Sequence, residues 1–169
     1  MAGSLKNTQK VRVLFVCLGN ICRSPTAHGV FEAMIEQNGL SDRIEVDSAG
    51  TSGWHIGARS DPRSSEAAGR RGYDMSHIRA RQVDSEDFST FDYILAMDDQ
   101  NLADLQALKP DDFNGCLDLF LSFSSDYAGQ AVPDPYYGGE QGFEHVLDMV
   151  EDGSRGLLFR IQCQLESGQ

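Results

Sequence analysis

Val13-Leu14-Phe15-Val16-Cys17-Leu18-Gly19-Asn20-Ile21-Cys22-Arg23-Ser24-Pro25 decides how the rest of the chain is read. An apolar run of the kind a buried parallel strand needs ends on a cysteine, and an arginine six positions later leads into an amphipathic helix beginning near Pro25. Five residues between a thiol and a guanidinium can curl into a ring whose backbone N–H groups point inward. The helix behind them adds the positive end of its dipole. Such a ring is the size of a phosphate, and a cysteine at its centre is expected to be a thiolate, because Arg23 and the helix N-terminus both favour the charged form. Taken singly, Cys17 reads as a small buried residue, Arg23 as a surface residue and Gly19-Asn20 as a turn. Strand, thiol, loop, Arg, Ser and a Pro at the helix start, in that order, are far more specific.

Working outward, the strand is expected over Val11 to Val16, and residues 1 to 10 read as a loose polar tail ahead of a single domain over 11 to 169. Ala27, Val30, Phe31, Met34 and Ile35 keep helical spacing, and Asn38-Gly39 stops that helix. Ile44 to Gly50 alternates as a second strand and delivers a loop holding Trp54 and His55. Asp61-Pro62 starts a helix to about Arg71, Phe91 to Met97 forms a third strand, and Asp98 caps a helix that ends before Pro110. Leu117 to Phe123 is expected as a fourth strand. A final helix runs from about Gln141; Gly153 and Gly156 weaken its middle and leave open whether it continues unbroken. Alternating strands and helices imply an α/β domain whose four-stranded parallel sheet is doubly wound in the flavodoxin-like manner, with helices on both faces. Ligands of such sheets bind beyond the carboxyl ends of the strands, where Cys17, Ser48 and Asp98 all fall.

A chain of 169 residues, 40% of them hydrophobic, suits one domain with a real core. No run of about 18 apolar residues occurs, so no membrane insertion is expected, and the protein should work in the cytoplasm. Cys17, Cys22, Cys116 and Cys163 form no paired framework, which fits a reducing compartment. The net charge of -12 disfavours nucleic acid. It is unevenly spread: residues 1 to 83 carry 11 Lys and Arg against 8 Asp and Glu, a balance of +3, and residues 84 to 169 carry 3 against 18, a balance of -15. The anion cradle lies in the less acidic half.

A thiolate that attacks phosphorus needs its equatorial oxygens stabilised, an in-line approach, and an acid for the departing oxygen. Loop 18 to 23 and the Arg23 fork supply the first, and Cys17 supplies the attack. The best acid is Asp134, in Val132-Pro133-Asp134-Pro135-Tyr136-Tyr137, where two prolines restrict the loop and the tyrosines can wall a substrate ring. Alone, Asp-Pro is an ordinary turn.

Cys17-Leu18-Gly19-Asn20-Ile21-Cys22-Arg23-Ser24, followed much later by Asp134-Pro135-Tyr136-Tyr137, resembles the low-molecular-weight protein tyrosine phosphatases, and the similarity runs from about Val11 to the final helix. The resemblance implies a metal-independent, cofactor-free hydrolase acting on phosphotyrosine proteins or other aryl phosphates. Cys17 would form a phosphocysteine, Arg23 would clamp phosphate with Leu18, Gly19, Ile21 and Cys22 in the loop, and Asp134 would act as acid and then base. Ser24 would donate to the thiolate, and Asn20 would hold the strained loop, supported by Ser48 and His77. Leu18, Trp54, Tyr136 and Tyr137 would line the crevice; Trp54 reads equally as partly buried core, and His77 as a surface histidine. In the family the two tyrosines can be phosphorylated, and the pair matching Cys17 and Cys22 can form a protective disulfide; Cys22 otherwise reads as a buried bystander. His28, His55 and His145 show no partner and read as solvated. No His set near Cys17 and Cys22 completes a tetrahedral metal site. A monomer is expected.

Two other readings compete. Arsenate reduction on the same fold needs further cysteines after the third strand, and Phe88 to Leu108 holds none. A non-catalytic phosphate-binding module has no use for both a nucleophile and an acid.

Overall fold

Alternation along the first strand sets the layers of the molecule. In the computed structural model, which describes residues 10–135 and 139–167, β1 spans Val11–Cys17. Val11, Val13, Phe15 and Cys17 point into one core, while Leu14 and Val16 point into a second on the other face of the sheet. Residues 1–9 of the expected tail lie outside the described residues.

The chain then forms α1 (Arg23–Gln37), β2 (Ile44–Gly50), α2 (Pro62–Arg70), α3 (Asp87–Thr90), β3 (Tyr93–Ala96), α4 (Asp99–Leu108), β4 (Cys116–Leu119) and α5 (Gly139–Glu166). The sheet order is β2-β1-β3-β4 and every pairing is parallel, with Cys17 beside Gly50 and Val16 beside Ala96. This is the doubly wound α/β sheet expected from the sequence. The chain leaves β1 for β2 on one side and later returns to β3 on the other. The strand order therefore reverses at the carboxyl end of β1, where a crevice opens.

The larger core joins β1 and β3 to α1 and α5. Phe15, fully buried, sits edge-on to Phe31 of α1 and Phe120, with centroids at 5.8 and 5.0 Å. Phe15→Ala would cost about 3–5 kcal/mol for that reason. The helix α1 starts at Arg23, two residues before the expected start, so Pro25 lies in the first turn, where its missing N–H has no helical partner to lose. Gly39 ends it at φ 67°, in the left-handed region.

One expectation is corrected and one open point is decided. Phe120–Phe123 is a 3-10 turn after a short β4 and does not continue the strand. Gly153 and Gly156 do not break α5, which is continuous from Gly139 to Glu166. They are the places where the helix backbone meets that turn: a Cβ on Gly156 would overlap the carbonyl oxygen of Phe123, and one on Gly153 would lie 2.9 Å from the Phe120 ring. The short helix α3 has too brief a pattern to be read in the sequence. Among the described residues, no helix is long and apolar enough to cross a membrane.

Candidate active site

The loop after β1 is shaped by what its carbonyls do. The carbonyl of Cys17 accepts from Thr51 N (2.9 Å), that of Leu18 from Ser52 N (2.9 Å), that of Ile21 from Asp61 N (2.7 Å) and that of Cys22 from Thr26 N (3.2 Å). Thr26 Oγ1 also donates to the Cys22 carbonyl at 2.6 Å. Because each peptide is planar and trans, a carbonyl turned outward turns the next N–H the opposite way. The N–H groups of Leu18, Gly19, Cys22 and Arg23 therefore face the ring interior, beside the N-terminus of α1.

Asn20 holds the loop closed at φ 58°, the one non-glycine residue with positive φ among the described residues. Three bonds keep it there: its N–H approaches Cys17 Sγ at 3.3 Å, its Nδ2 donates to Ser24 Oγ at 2.8 Å, and its Oδ1 accepts from Arg81 N at 3.0 Å. Ser24 Oγ accepts a hydrogen bond from Asn20 Nδ2 and lies 3.0 Å from Cys17 Sγ, nearer than the Ala49 carbonyl at 3.4 Å, so it is placed to donate to the sulfur. The Asn20 N–H and the Ser24 hydroxyl thus both approach the buried sulfur.

Beneath the loop lies Gly50. A Cβ there would stand 2.7 Å from the Leu18 oxygen and 3.1 Å from Gly19 C, so only glycine lets β2 run this close under the cradle. Arg23, buried, is aimed by Nη1 bonds to Asp98 Oδ2 at 2.7 Å and the Val132 carbonyl at 3.2 Å. Asp98 also caps α4 by accepting from Asn101 N through its other oxygen, at 2.8 Å. In the sequence Asp98 reads as that cap and as a residue at the carboxyl end of β3, with nothing to link it to Arg23. The contact with Arg23 joins residues far apart in the chain and leaves no local signal.

A crevice of about 250 Å³ opens over the loop, lined by Cys17, Leu18, Gly19, Ile21, Cys22, Arg23, Trp54, His55 and Asp134. Asp134 is exposed and lies opposite the loop. The Trp54 indole is 75% exposed, so it is crevice wall and not core. His55, read as solvated, belongs to this wall, and its ring comes within 3.1 Å of where a Cβ on Gly19 would be. Tyr136 and Tyr137 lie outside the described residues. A larger cleft, about 500 Å³, sits between α1 and β2 and includes neither thiol nor cradle.

The support of Asn20 differs from the expectation. Ser48 Oγ meets His28 Nδ1 at 2.9 Å, and His77 Nε2 meets Glu32 Oε1 at 2.6 Å, so Ser24 and the Arg81 backbone, not Ser48 and His77, hold Asn20. His28 is buried, not solvated, because α1 is covered on most of its circumference. His145 packs edge-on to Tyr127. Cys22 is a buried free thiol whose pKa burial pushes up to about 12, so it is neutral beside Cys17.

Residues 12–167 match the family model described as low molecular weight phosphotyrosine protein phosphatase. The chain is 46% identical over 156 residues to a putative low molecular weight protein-tyrosine-phosphatase of Synechocystis, covering 92% of this chain and 99% of that one. It is 48% identical over 148 residues to the human low molecular weight phosphotyrosine protein phosphatase, covering 86% and 92%. Among solved structures, a protein tyrosine phosphatase from Entamoeba histolytica with Hepes in its active site superposes with a TM-score of 0.86 at 40% identity, over 90% of this chain and 97% of that one.

Proposed function

The chain belongs to the low molecular weight phosphotyrosine protein phosphatase family and is a protein tyrosine phosphatase, and from that premise we propose that Cys17, Arg23 and Asp134 carry its reaction. Cys17 Sγ attacks the phosphorus of an aryl phosphate in line with the departing phenolic oxygen, which takes a proton from Asp134. The sulfur–phosphorus bond forms as the phosphorus–oxygen bond breaks, leaving a phosphocysteine and a phenol. Asp134, now a carboxylate, then accepts a proton from water as that water attacks phosphorus and returns the thiolate. The loop N–H groups and the Arg23 guanidinium hold the equatorial oxygens throughout, a stabilisation that needs no metal ion.

The observation that carries this reading is the placement of Cys17 Sγ, 3.0 Å from Ser24 Oγ and 3.3 Å from Asn20 N, in a crevice that Arg23 and Asp134 also line. Leu18, Trp54 and His55 present flat and apolar surface to an aryl ring, which suits phosphotyrosine on a protein chain. The natural setting of such an enzyme is the cytoplasm, with residues 11–169 acting as one monomeric domain. Peroxide would oxidise the Cys17 thiolate to a sulfenic acid, and attack by the Cys22 thiol would expel water and leave a disulfide. The deciding assay measures hydrolysis of an aryl phosphate in excess chelator. Wild type should turn over and Cys17→Ser should not, while Cys17→Ser still binds inorganic phosphate; near-wild-type turnover by the serine variant overturns the assignment.

A further inference from the structure

On the flank of α1 away from the crevice, three side chains that ligate metals converge: the ligand atoms of His28, Glu32 and His77 all lie within 4.8 Å of one another. His28 and Glu32 are one helical turn apart and share a face. His77 arrives from a separate segment. That segment comes close because α1 has Gly29 beside His28, where a Cβ would be 3.1 Å from Met75. The turn is itself fixed, with Ser76 N donating to Asp74 Oδ1 at 2.9 Å and Arg79 Nη1 to the Ser76 carbonyl at 2.7 Å.

We propose that His28, Glu32 and His77 form a site for one divalent zinc-class ion, separate from the catalytic crevice. Two imidazoles and a carboxylate are a donor set that zinc takes, with solvent in the fourth position. Ligand atoms about 2.1 Å from a tetrahedral ion stand about 3.4 Å apart. The separations here bracket that distance: His77 Nε2 is 2.6 Å from Glu32 Oε1, and His28 Nε2 is 3.9 Å from Glu32 Oε2. The second of these is too long for a hydrogen bond, so an ion between them draws His28 and Glu32 together as it moves His77 outward. Side-chain exposures of 42% for Glu32 and 48% for His77 give both room to make the shift.

An outer shell is also in place. The Nδ1 of His28 is engaged by Ser48 Oγ at 2.9 Å, which orients the ring and directs Nε2 at the carboxylate. Glu32 also lines the 500 Å³ cleft with Glu36, Glu45, Asp47 and Arg12, where Lys10 and Arg12 pair with Glu45 and Arg81 pairs with Asp47, so the cleft gives an ion a route from solvent and the three ligands supply its selection. An ion here would tie α1, which begins with Arg23 and Ser24, to the segment whose Arg81 N–H holds Asn20. It would act as a clamp on the fold, with no part in the bond-making steps.

Zinc also seeks thiolates, so the test separates the two sites by using Cys17→Ser protein throughout. Equilibrium dialysis of that full-length chain against zinc chloride should show one bound equivalent, weakened at least about tenfold by adding either His77→Ala or Glu32→Gln. Zinc at about 100 times its Kd should raise Tm by about 5–10 °C, and at that same zinc concentration each substitution should cut the rise by about half or more. Cobalt(II) should give a visible spectrum without a sulfur-to-cobalt charge-transfer band. Uptake unchanged by both substitutions, uptake by wild type that disappears with Cys17→Ser, or no uptake at all overturns the proposal.

Discussion

The two walls of the crevice are built on opposite plans. One is the loop from Cys17 to Arg23, whose Asn20, Arg23 and Ser24 are buried and whose carbonyls and side chains are pinned from β2, α1, α4 and the Arg81 segment. The facing wall is Trp54, His55 and Asp134, all exposed. The difference teaches a division of labour. A phosphate group is always the same shape, so donors fixed before binding stabilise its developing charge without reorganisation. A substrate's ring and its surroundings vary, and exposed side chains on loops can adapt to them.

Removing Cys17, the proposed nucleophile, from the rigid wall should have the largest effect. Cys17→Ser is expected to lower kcat by about 10⁴-fold or more, measured as steady-state release of phosphate. Asp134→Ala tests the open wall. It should cost about 10²–10⁴-fold, and the cost should grow with the pKa of the leaving phenol, read from a series of substituted aryl phosphates. A uniform loss across the series would show that Asp134 is not the acid.

Gly50→Ala leaves every catalytic group in place and pushes only on the underside of the cradle. A loss of about 10²-fold in kcat is expected, with KM for the aryl group little changed, because donors misplaced by a fraction of an ångström no longer meet the transition state. If Gly50→Ala is fully active, the rigid wall is softer than its hydrogen bonds imply.

Asp152 tests how the acid loop is rooted. It accepts from the Ser124 hydroxyl and from Ser125 N and Asp126 N, both at 3.0 Å, at the start of the segment that leads to Asp134. The Ser124 bond foremost, working against burial and aided by those N–H groups, lowers the Asp152 pKa. As pH falls, the unfolded carboxyl therefore binds protons first, so this stabilisation is complete at neutral pH and is lost through and below about pH 4. Asp152→Asn should cost about 1–3 kcal/mol in urea unfolding at pH 7, and the gap to wild type should narrow at pH 3. Trp54→Ala should have the smallest effect, raising KM for aryl phosphates about fivefold with kcat nearly unchanged, in line with one exposed aromatic contact of about 1 kcal/mol.

The rigid wall was the more legible of the two in the sequence, and its legibility is local. The proposed nucleophile, the loop, the proposed clamp and the helix start all lie within nine consecutive residues, Cys17 to Pro25, and strand periodicity on one side and helix periodicity on the other frame them. What fixes that wall was not legible, because Arg23–Asp98 and Asn20–Arg81 are long-range pairs whose members read locally as a cap and a coil residue. Gly156 shows the same limit in the fold. Propensity reads a glycine inside a helix as a weak point, whereas here its missing side chain admits the Phe123 carbonyl. His28 reads as solvated in the sequence because a helix with glutamates on one side implies a solvated face, and only the tertiary packing shows how little of α1 remains in water.

A hydrogen bond ties the cradle to the segment that carries Asp134. Arg23 Nη1, at the end of the cradle, donates to the carbonyl of Val132, two residues before Asp134, and Val132 N in turn donates to the Met97 carbonyl at the end of β3. The span from Cys17 to Asp134, the proposed nucleophile and acid, is therefore bridged by a short linkage and not by the long path of the chain alone. Arg23→Lys, which keeps the charge but not the fork, would detach that gauge as well as the phosphate. Its signature would be a protonation step out of time with sulfur attack, visible as a steeper dependence on leaving-group basicity than loss of phosphate affinity alone produces.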